Sequence, residues 1–295
     1  MQLIQSNLLI RSELIIAHRC YDNEQKRRKG DRMSQEDKRV KKTDQVAIIT
    51  GASSGFGASL TRALDTWLDK DVSFWLIARD LEKLNNFASE FSRPTRVFPA
   101  DLTKHEDYTA ISEALVAEKP KVVLLVNNAG EGCAGRFQAL DLMRHDSLCD
   151  LNVRAQLKMT SLALPYMSNE SRILFTSSVA AFLPQPGFAT YAASKSFILS
   201  FGRALREELR EEGISVTVTC PNPMLTAFFT EAQKQALQNS YKRLGIEDPD
   251  RSAKRTIRAL KKNKALVVTG FMGKLIRFAA WLLPTGLMLR LIRFD

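Results

Sequence analysis

Tyr191 and Lys195 stand four residues apart in the segment Tyr-Ala-Ala-Ser-Lys, and on a helix over 189–212 that spacing sets a phenol and an ammonium one turn apart on the same face. A free tyrosine titrates at roughly 10, too high for efficient proton exchange at neutrality, whereas a fixed cation beside it favours the phenolate and lowers that value. The pair is therefore a proton donor with its tuner, suited to general acid–base chemistry. Alone, the motif is short enough to arise by chance, and an amphipathic helix carrying one aromatic and one solvated lysine would read the same way. The elements that must position it decide between the two.

The first of these is Val46-Ala-Ile-Ile-Thr50, an apolar run of strand length. Gly51-Ala-Ser-Ser-Gly55-Phe-Gly57 follows, and then helix-like periodicity through Leu60, Ala63, Leu64, Trp67 and Leu68. Strand, glycine turn and helix open a nucleotide-binding unit: the glycines let backbone N–H groups approach a pyrophosphate at the positive end of the helix dipole. The order is G-x3-G-x-G, so the G-x-G-x-x-G fingerprint is not matched to the letter, and a plain strand-to-helix turn is the alternative. Further strands are expected at 73–78, 96–100, 122–127, 172–177, 215–220 and 265–269. Helices are expected near 80–91, 104–118, 139–168, 189–212 and 225–262. The fold class that follows is α/β, a single doubly wound parallel sheet of about seven strands with helices on both faces. Ligands of such folds bind at the carboxyl ends of the strands.

Thr50-Gly-Ala-Ser-Ser-Gly-Phe-Gly57, Asp101, Asn127-Asn-Ala-Gly130, Asn152, Ser178 and Tyr191-x3-Lys195 occur in this order, each at a strand end or on a following helix. Together they resemble the short-chain dehydrogenase/reductase family, a Rossmann-type fold, over residues 45–230. The resemblance implies a catalytic domain at 45–269. It implies that Tyr191 protonates a carbonyl oxygen as hydride arrives, or acts as base in the reverse direction. Ser178, thirteen residues earlier, would polarise the same oxygen, with Ser177 competing for the role. Lys195 would hold the nicotinamide ribose and lower the tyrosine pKa, and Asn152 would anchor a water that links Lys195 to solvent. Gly51, Ser53, Ser54, Gly55, Phe56 and Gly57 would surround the pyrophosphate. Asp101 and Leu102 would contact adenine, Asn128, Ala129 and Gly130 would wall the adenosine, and Thr226 would touch the nicotinamide carboxamide. Where the family has Pro-Gly after the sixth strand, this chain has Pro221-Asn222-Pro223; asparagine tolerates left-handed backbone and so could preserve the turn.

An acid at the end of the second strand would select a free ribose 2′-hydroxyl, and an arginine a 2′-phosphate. The chain reads Leu76-Ile-Ala-Arg79 there. Arg79, helped by Ser53, therefore favours NADP(H), with NAD(H) as the alternative if Arg79 is instead taken by Asp80 or a neighbouring helix. Four cysteines, Cys20, Cys133, Cys149 and Cys220, are scattered among three histidines. They suggest a reduced, cytoplasmic setting and no metal site, and Cys133, beside Gly135 near the predicted site, reads as a buried inert thiol.

The net charge of +11 belongs to the ends. Residues 1–44 hold 11 basic against 7 acidic side chains, residues 251–295 hold 11 against 1, and the middle nets −3. Residues 1–44 are expected to be a charged, disordered extension, with translation from Met33 as an alternative. The tail 270–295 carries a 12-residue uncharged run, Phe278 to Leu289, short of the roughly 20 residues that span a bilayer and broken by Pro284 and Gly286. Lys274, Arg277, Arg290 and Arg293 flank it, which suits a helix or broken helix pair lying on an anionic membrane surface; a lid or dimer contact is the alternative.

Three function classes follow. An NADP(H)-dependent reductase or dehydrogenase of a hydrophobic, lipid-like carbonyl or alcohol, working as a homo-oligomer, uses every motif. A non-catalytic NADP(H)-binding redox sensor leaves the Ser/Tyr/Lys set idle. A nucleic-acid binder explains only the charge, lacks a recognisable module, and is set aside.

Overall fold

The computed structural model describes residues 45–226, 228–239, 243 and 245–291. The expectations for residues 1–44 and for Arg293 lie outside these. Seven strands form one parallel sheet in the order β3-β2-β1-β4-β5-β6-β7. They are β1 (Gln45–Thr50), β2 (Ser73–Ala78), β3 (Thr95–Pro99), β4 (Lys121–Asn127), β5 (Arg172–Thr176), β6 (Ser215–Cys220) and β7 (Leu266–Val268). Successive β1 side chains serve opposite faces, Val46 and Ile48 one core and Ala47 and Ile49 the other. Burial on both faces explains why the strands read as continuous apolar runs without alternation. The strand order reverses between β1 and β4, which opens a crevice at their carboxyl ends.

Around the sheet lie α1 (Gly55–Asp65), α2 (Leu81–Ala88), α3 (Thr109–Glu118), α4 (Leu142–Cys149), α5 (Ala155–Ala163), α6 (Ala189–Glu208), α7 (Glu231–Gln238), α8 (Pro249–Lys261), α9 (Phe271–Leu282) and α10 (Thr285–Leu291). Two expected helices are broken. The stretch 139–168 divides into α4, capped by the Asp141 carboxylate at the Met143 N–H, a π-turn at Asp150–Arg154, and α5, which ends in a 3-10 turn at Pro165. The stretch 225–262 divides into α7 and α8, because Pro249 bars helix before it while fitting the first turn, where Asp248 caps the Arg251 N–H. The tail is a helix pair broken at Pro284. It packs on the fold through one face, with Gly273 against Val179 and Val268, and leaves the other face to solvent.

Candidate active site

The site begins with one hydroxyl. Thr50, at the end of β1, donates to the Val126 carbonyl at 3.1 Å and accepts the N–H groups of Asn128 and Ala129, both at 3.0 Å. The Asn128 amide returns the tie, donating to the carbonyls of Thr50 and Gly51 at 3.3 Å, while its oxygen accepts from Thr176 Oγ1 at the end of β5. Three strand ends are thus locked together, with the Asn128 side chain as the tie between them.

The glycine turn is held against this frame. Gly51 and Gly55 have φ of 64° and 52°, left-handed values that exclude ordinary side chains. A Cβ on Gly57 would lie 1.9 Å from the Gly51 carbonyl, so α1 sits directly on the turn. Ser54 gives α1 no side-chain cap, which leaves first-turn N–H groups for an anion. Ser53 and Phe56 are half-buried beside them, Ser54 is exposed, and the Thr226 side chain rests on Gly55. The cradle has the backbone exposure and the dipole that a dinucleotide pyrophosphate requires.

Asn152 projects, fully buried, from the π-turn. Its oxygen accepts the Glu131 N–H at 2.9 Å, and its amide donates to the Glu131 carbonyl at 2.9 Å and to Ser194 Oγ at 3.2 Å. Its backbone carbonyl accepts from Gln156 Nε2 at 3.0 Å. A Cβ on Gly130 would lie 2.9 Å from Asn152 Oδ1 and 3.2 Å from Lys195 Nζ; glycine is what lets these two groups share one pocket wall.

Ser177 and Ser178 part company. The Ser177 hydroxyl is buried and donates to the Lys195 carbonyl at 2.7 Å, tying β5 to α6. Ser178 caps a 3-10 turn at Val179–Phe182, and its hydroxyl lies within hydrogen-bonding reach of the Tyr191 phenol. Lys195 Nζ is buried, donates to the Thr176 carbonyl at 3.1 Å and lies 5.7 Å from the Tyr191 ring centroid. Sequence reasoning expected Lys195 to bring the phenol down. The structure reverses the sign: burial pushes Tyr191 up to about 12, against the pull of Ser178, and the same burial brings Lys195 down to about 8. Desolvation is the largest cause for both groups.

Arg79 is exposed beyond β2 and makes no ion pair among the described residues. Asp80 is not its partner, being bound to Lys83 at 2.9 Å as the cap of α2. Asp101 feels the guanidinium: burial would raise its carboxyl, but hydrogen bonds from Thr103 and the charges of Arg79 and Lys104 hold it below the usual range. Those two Thr103 bonds, at 3.1 and 2.8 Å, also show Asp101 shaping its own loop, with Leu102 buried beside it.

Three residues escaped the motifs. Phe228 packs edge-on to Tyr191 at 5.7 Å and Phe188 at 6.2 Å, so the phenol stands between two aromatic rings. Phe228 also lies over Gly132, where a Cβ would come within 2.5 Å of its ring. His145 holds the start of α6 through Thr190 Oγ1 at 2.8 Å. Spacing carries no signal for any of them, although the Phe228-Phe229 pair just after Thr226 was a visible apolar feature. Asn222 departs from its expected role: its φ is not positive, and its side chain turns inward toward Gly270 and Gly273. The loop is held by the Glu247 carboxylate, which accepts from the Asn222 N–H, Ser252 and Thr269.

The family model for short chain dehydrogenases matches residues 45–237. The chain belongs to the short chain dehydrogenase family. This dehydrogenase is 28% identical over 207 residues to an uncharacterized oxidoreductase of Staphylococcus epidermidis, covering 68% of this chain and 89% of that one. It is 35% identical over 191 residues to 17-beta-hydroxysteroid dehydrogenase type 3 of Mus musculus, covering 62% of this chain and 61% of that one. A short-chain dehydrogenase from Sphingobium yanoikuyae, solved in complex with NADPH, shares the fold with a TM-score of 0.67 at 24% identity, over 83% of this chain and 94% of that one. The protein is an oxidoreductase of the alcohol–carbonyl couple.

Proposed function

We propose that this dehydrogenase uses NADP(H) to reduce a bulky, hydrophobic carbonyl compound. The observation that carries the reading is the protonated phenol of Tyr191, set between Ser178 and two aromatic rings, with buried Lys195 behind it. Bound nicotinamide would supply the hydride that adds to the carbonyl carbon. Tyr191 gives its proton to the carbonyl oxygen, Ser178 donates a hydrogen bond to the same oxygen, and the product is the alcohol. Lys195 supplies positive charge as the phenolate forms, and Asn152 would anchor a water that links Lys195 to solvent. Phe188 and Phe228 exclude water and offer flat apolar surface beside the reacting group, which favours a large hydrophobic substrate over a small sugar.

Gly51, Gly55 and Gly57 with the start of α1 would hold the pyrophosphate, and Arg79, free of Asp80, would clamp a 2′-phosphate. The mouse relative is a hydroxysteroid dehydrogenase by name, which is consistent with a lipid-like substrate. Exposed Leu142, Met143 and Phe197 support self-association, and the tail supports peripheral attachment to a membrane. The test is NADPH consumption, followed by absorbance, across ketones, aldehydes and lipid-derived carbonyls. Turnover of hydrophobic carbonyls that disappears in Tyr191→Phe is the expected result; NADPH binding with no turnover on any of them would favour the redox sensor.

A further inference from the structure

The tail helix and the groove beside it form one surface. On α9, Phe271, Leu275, Phe278 and Leu282 recur at the helical repeat and are 79, 49, 57 and 59% exposed, with Trp281 alongside at 80%. A single domain seldom leaves such a stripe facing water without use. Next to it lies a groove of about 280 Å³ lined by Arg255, Arg258, Lys262, Lys264 and Lys274. Arg255 is spent on Glu247 and the Thr269 carbonyl, at 3.4 and 2.6 Å. Among the described residues the other four make no ion pair. The carboxyl end of α8 would account for Arg258 and Lys262 as dipole partners, but not for Lys264 and Lys274, which stand beyond it. Lys274 joins the two features, since it lines the groove and, on α9, sits three residues after Phe271 and four before Phe278.

We propose that this groove receives the phosphate headgroups of an anionic bilayer while the stripe of α9 lies in the acyl boundary. The inference rests on the reading that the tail meets a membrane, and names the site. Among the described residues no helix is long and apolar enough to cross a membrane, so α9 lies on the surface. The charges choose the occupant. A second copy would bring the same unpaired cations to a shared interface, which like-charge repulsion opposes, and a nucleic acid has no use for phenylalanine and leucine at the rim of its site.

The experiment uses the full chain with phosphatidylcholine vesicles, with and without phosphatidylglycerol, in co-sedimentation at low and high salt. Wild type binds the phosphatidylglycerol vesicles and is released by salt. Neutralising Arg258, Lys262 and Lys264 together (R258Q/K262Q/K264Q) weakens that binding by about a hundredfold. The triple variant keeps its turnover of a water-soluble carbonyl, which shows that it is folded. F278S/W281S weakens vesicle binding as well, at low salt. Wild type that sediments with neither vesicle sinks the membrane reading itself. Vesicle binding that is equal in wild type and the triple variant leaves that reading standing and overturns the groove. Self-association lost in F278S/W281S, or salt-sensitive binding of duplex DNA, without vesicle binding, assigns the surface to another occupant and overturns both.

Discussion

At the residue scale, the proposed chemistry hinges on two groups that burial has driven toward neutrality. Tyr191, up at about 12, keeps its proton throughout the working range, and Lys195, down at about 8, loses its charge just above it. The rate of carbonyl reduction should therefore fall as pH rises through about 8, with no limb from the phenol until far higher. A kcat/KM profile that stays flat across that value would contradict the assignment. Tyr191→Phe should lower kcat by roughly 10²- to 10⁴-fold, the usual weight of a general acid, and leave NADPH affinity near its wild-type value. Stopped-flow binding and steady-state turnover separate the two effects. Arg79→Ala should weaken NADPH by about 1.5–3 kcal/mol and NADH hardly at all, because only one of them offers a phosphate to the guanidinium. Wild-type protein that binds NADH more tightly in calorimetric titration would reverse the cofactor assignment.

At the scale of elements, the proposed catalytic side chains are held by the ends of strands and the turns after them, and one of those turns carries the tail. A Cβ on Gly273 would lie 2.4 Å from Asn222 Oδ1, 2.5 Å from Val179 and 2.8 Å from Val268. Val179 directly follows Ser178, so whatever displaces α9 displaces the turn that aims the serine. Gly273→Ala should destabilise the protein by about 1–3 kcal/mol, the usual effect of overpacking, and lower kcat more than it raises the KM for NADPH. Denaturant titration with steady-state kinetics reads both; unchanged kcat with the stability loss would show α9 and the Ser178 turn to be uncoupled. The π-turn at Asp150–Arg154 works similarly at the other wall, since its extra residue turns Asn152 inward to grip Glu131 on either side of the peptide.

At the scale of the whole molecule, the site is a local loss of stability tolerated for function. Lys195 has a folded pKa near 8, below its ordinary 10.5, so the folded state binds fewer protons than the unfolded one in that interval and stability rises with pH there. Below about 8 the full penalty is present. Lys195→Met should therefore be more stable than wild type at neutral pH, by up to about 3 kcal/mol, with the difference shrinking between about 8 and 10.5. Cys220 and Tyr191, both raised to about 12, act with the opposite sign and erode stability from their ordinary values upward in both proteins. Urea denaturation at a series of pH values measures the difference; a gap that does not narrow with rising pH would show that the lysine is charged in the folded state throughout.

What was legible in the chain was whatever depends on near neighbours. The 3.6-residue repeat put Tyr191 and Lys195 on one helix face, continuous apolar runs announced strands covered on both sides, and glycines in the turn after β1 announced a backbone approach. The order of these elements was enough for the seven-stranded parallel sheet and for the family. Burial was not legible, because it is set by atoms distant in sequence, and so the sign of the Tyr191 shift came out reversed. Spacing favoured Ser178 over Ser177, and in the fold the Ser177 hydroxyl is taken by the Lys195 carbonyl. The helix expected over 139–168 was interrupted because Asn152 is drawn to Glu131, a contact that local propensity does not contain. Asn222 reads as a turn residue in isolation, yet it packs inward because Gly270 and Gly273, far along the chain, leave room for its amide. Phe228 meets Tyr191 only once the segment after β6 folds over the carboxyl ends of the strands. Local periodicity chose the elements, and long-range packing chose which of their side chains share a pocket.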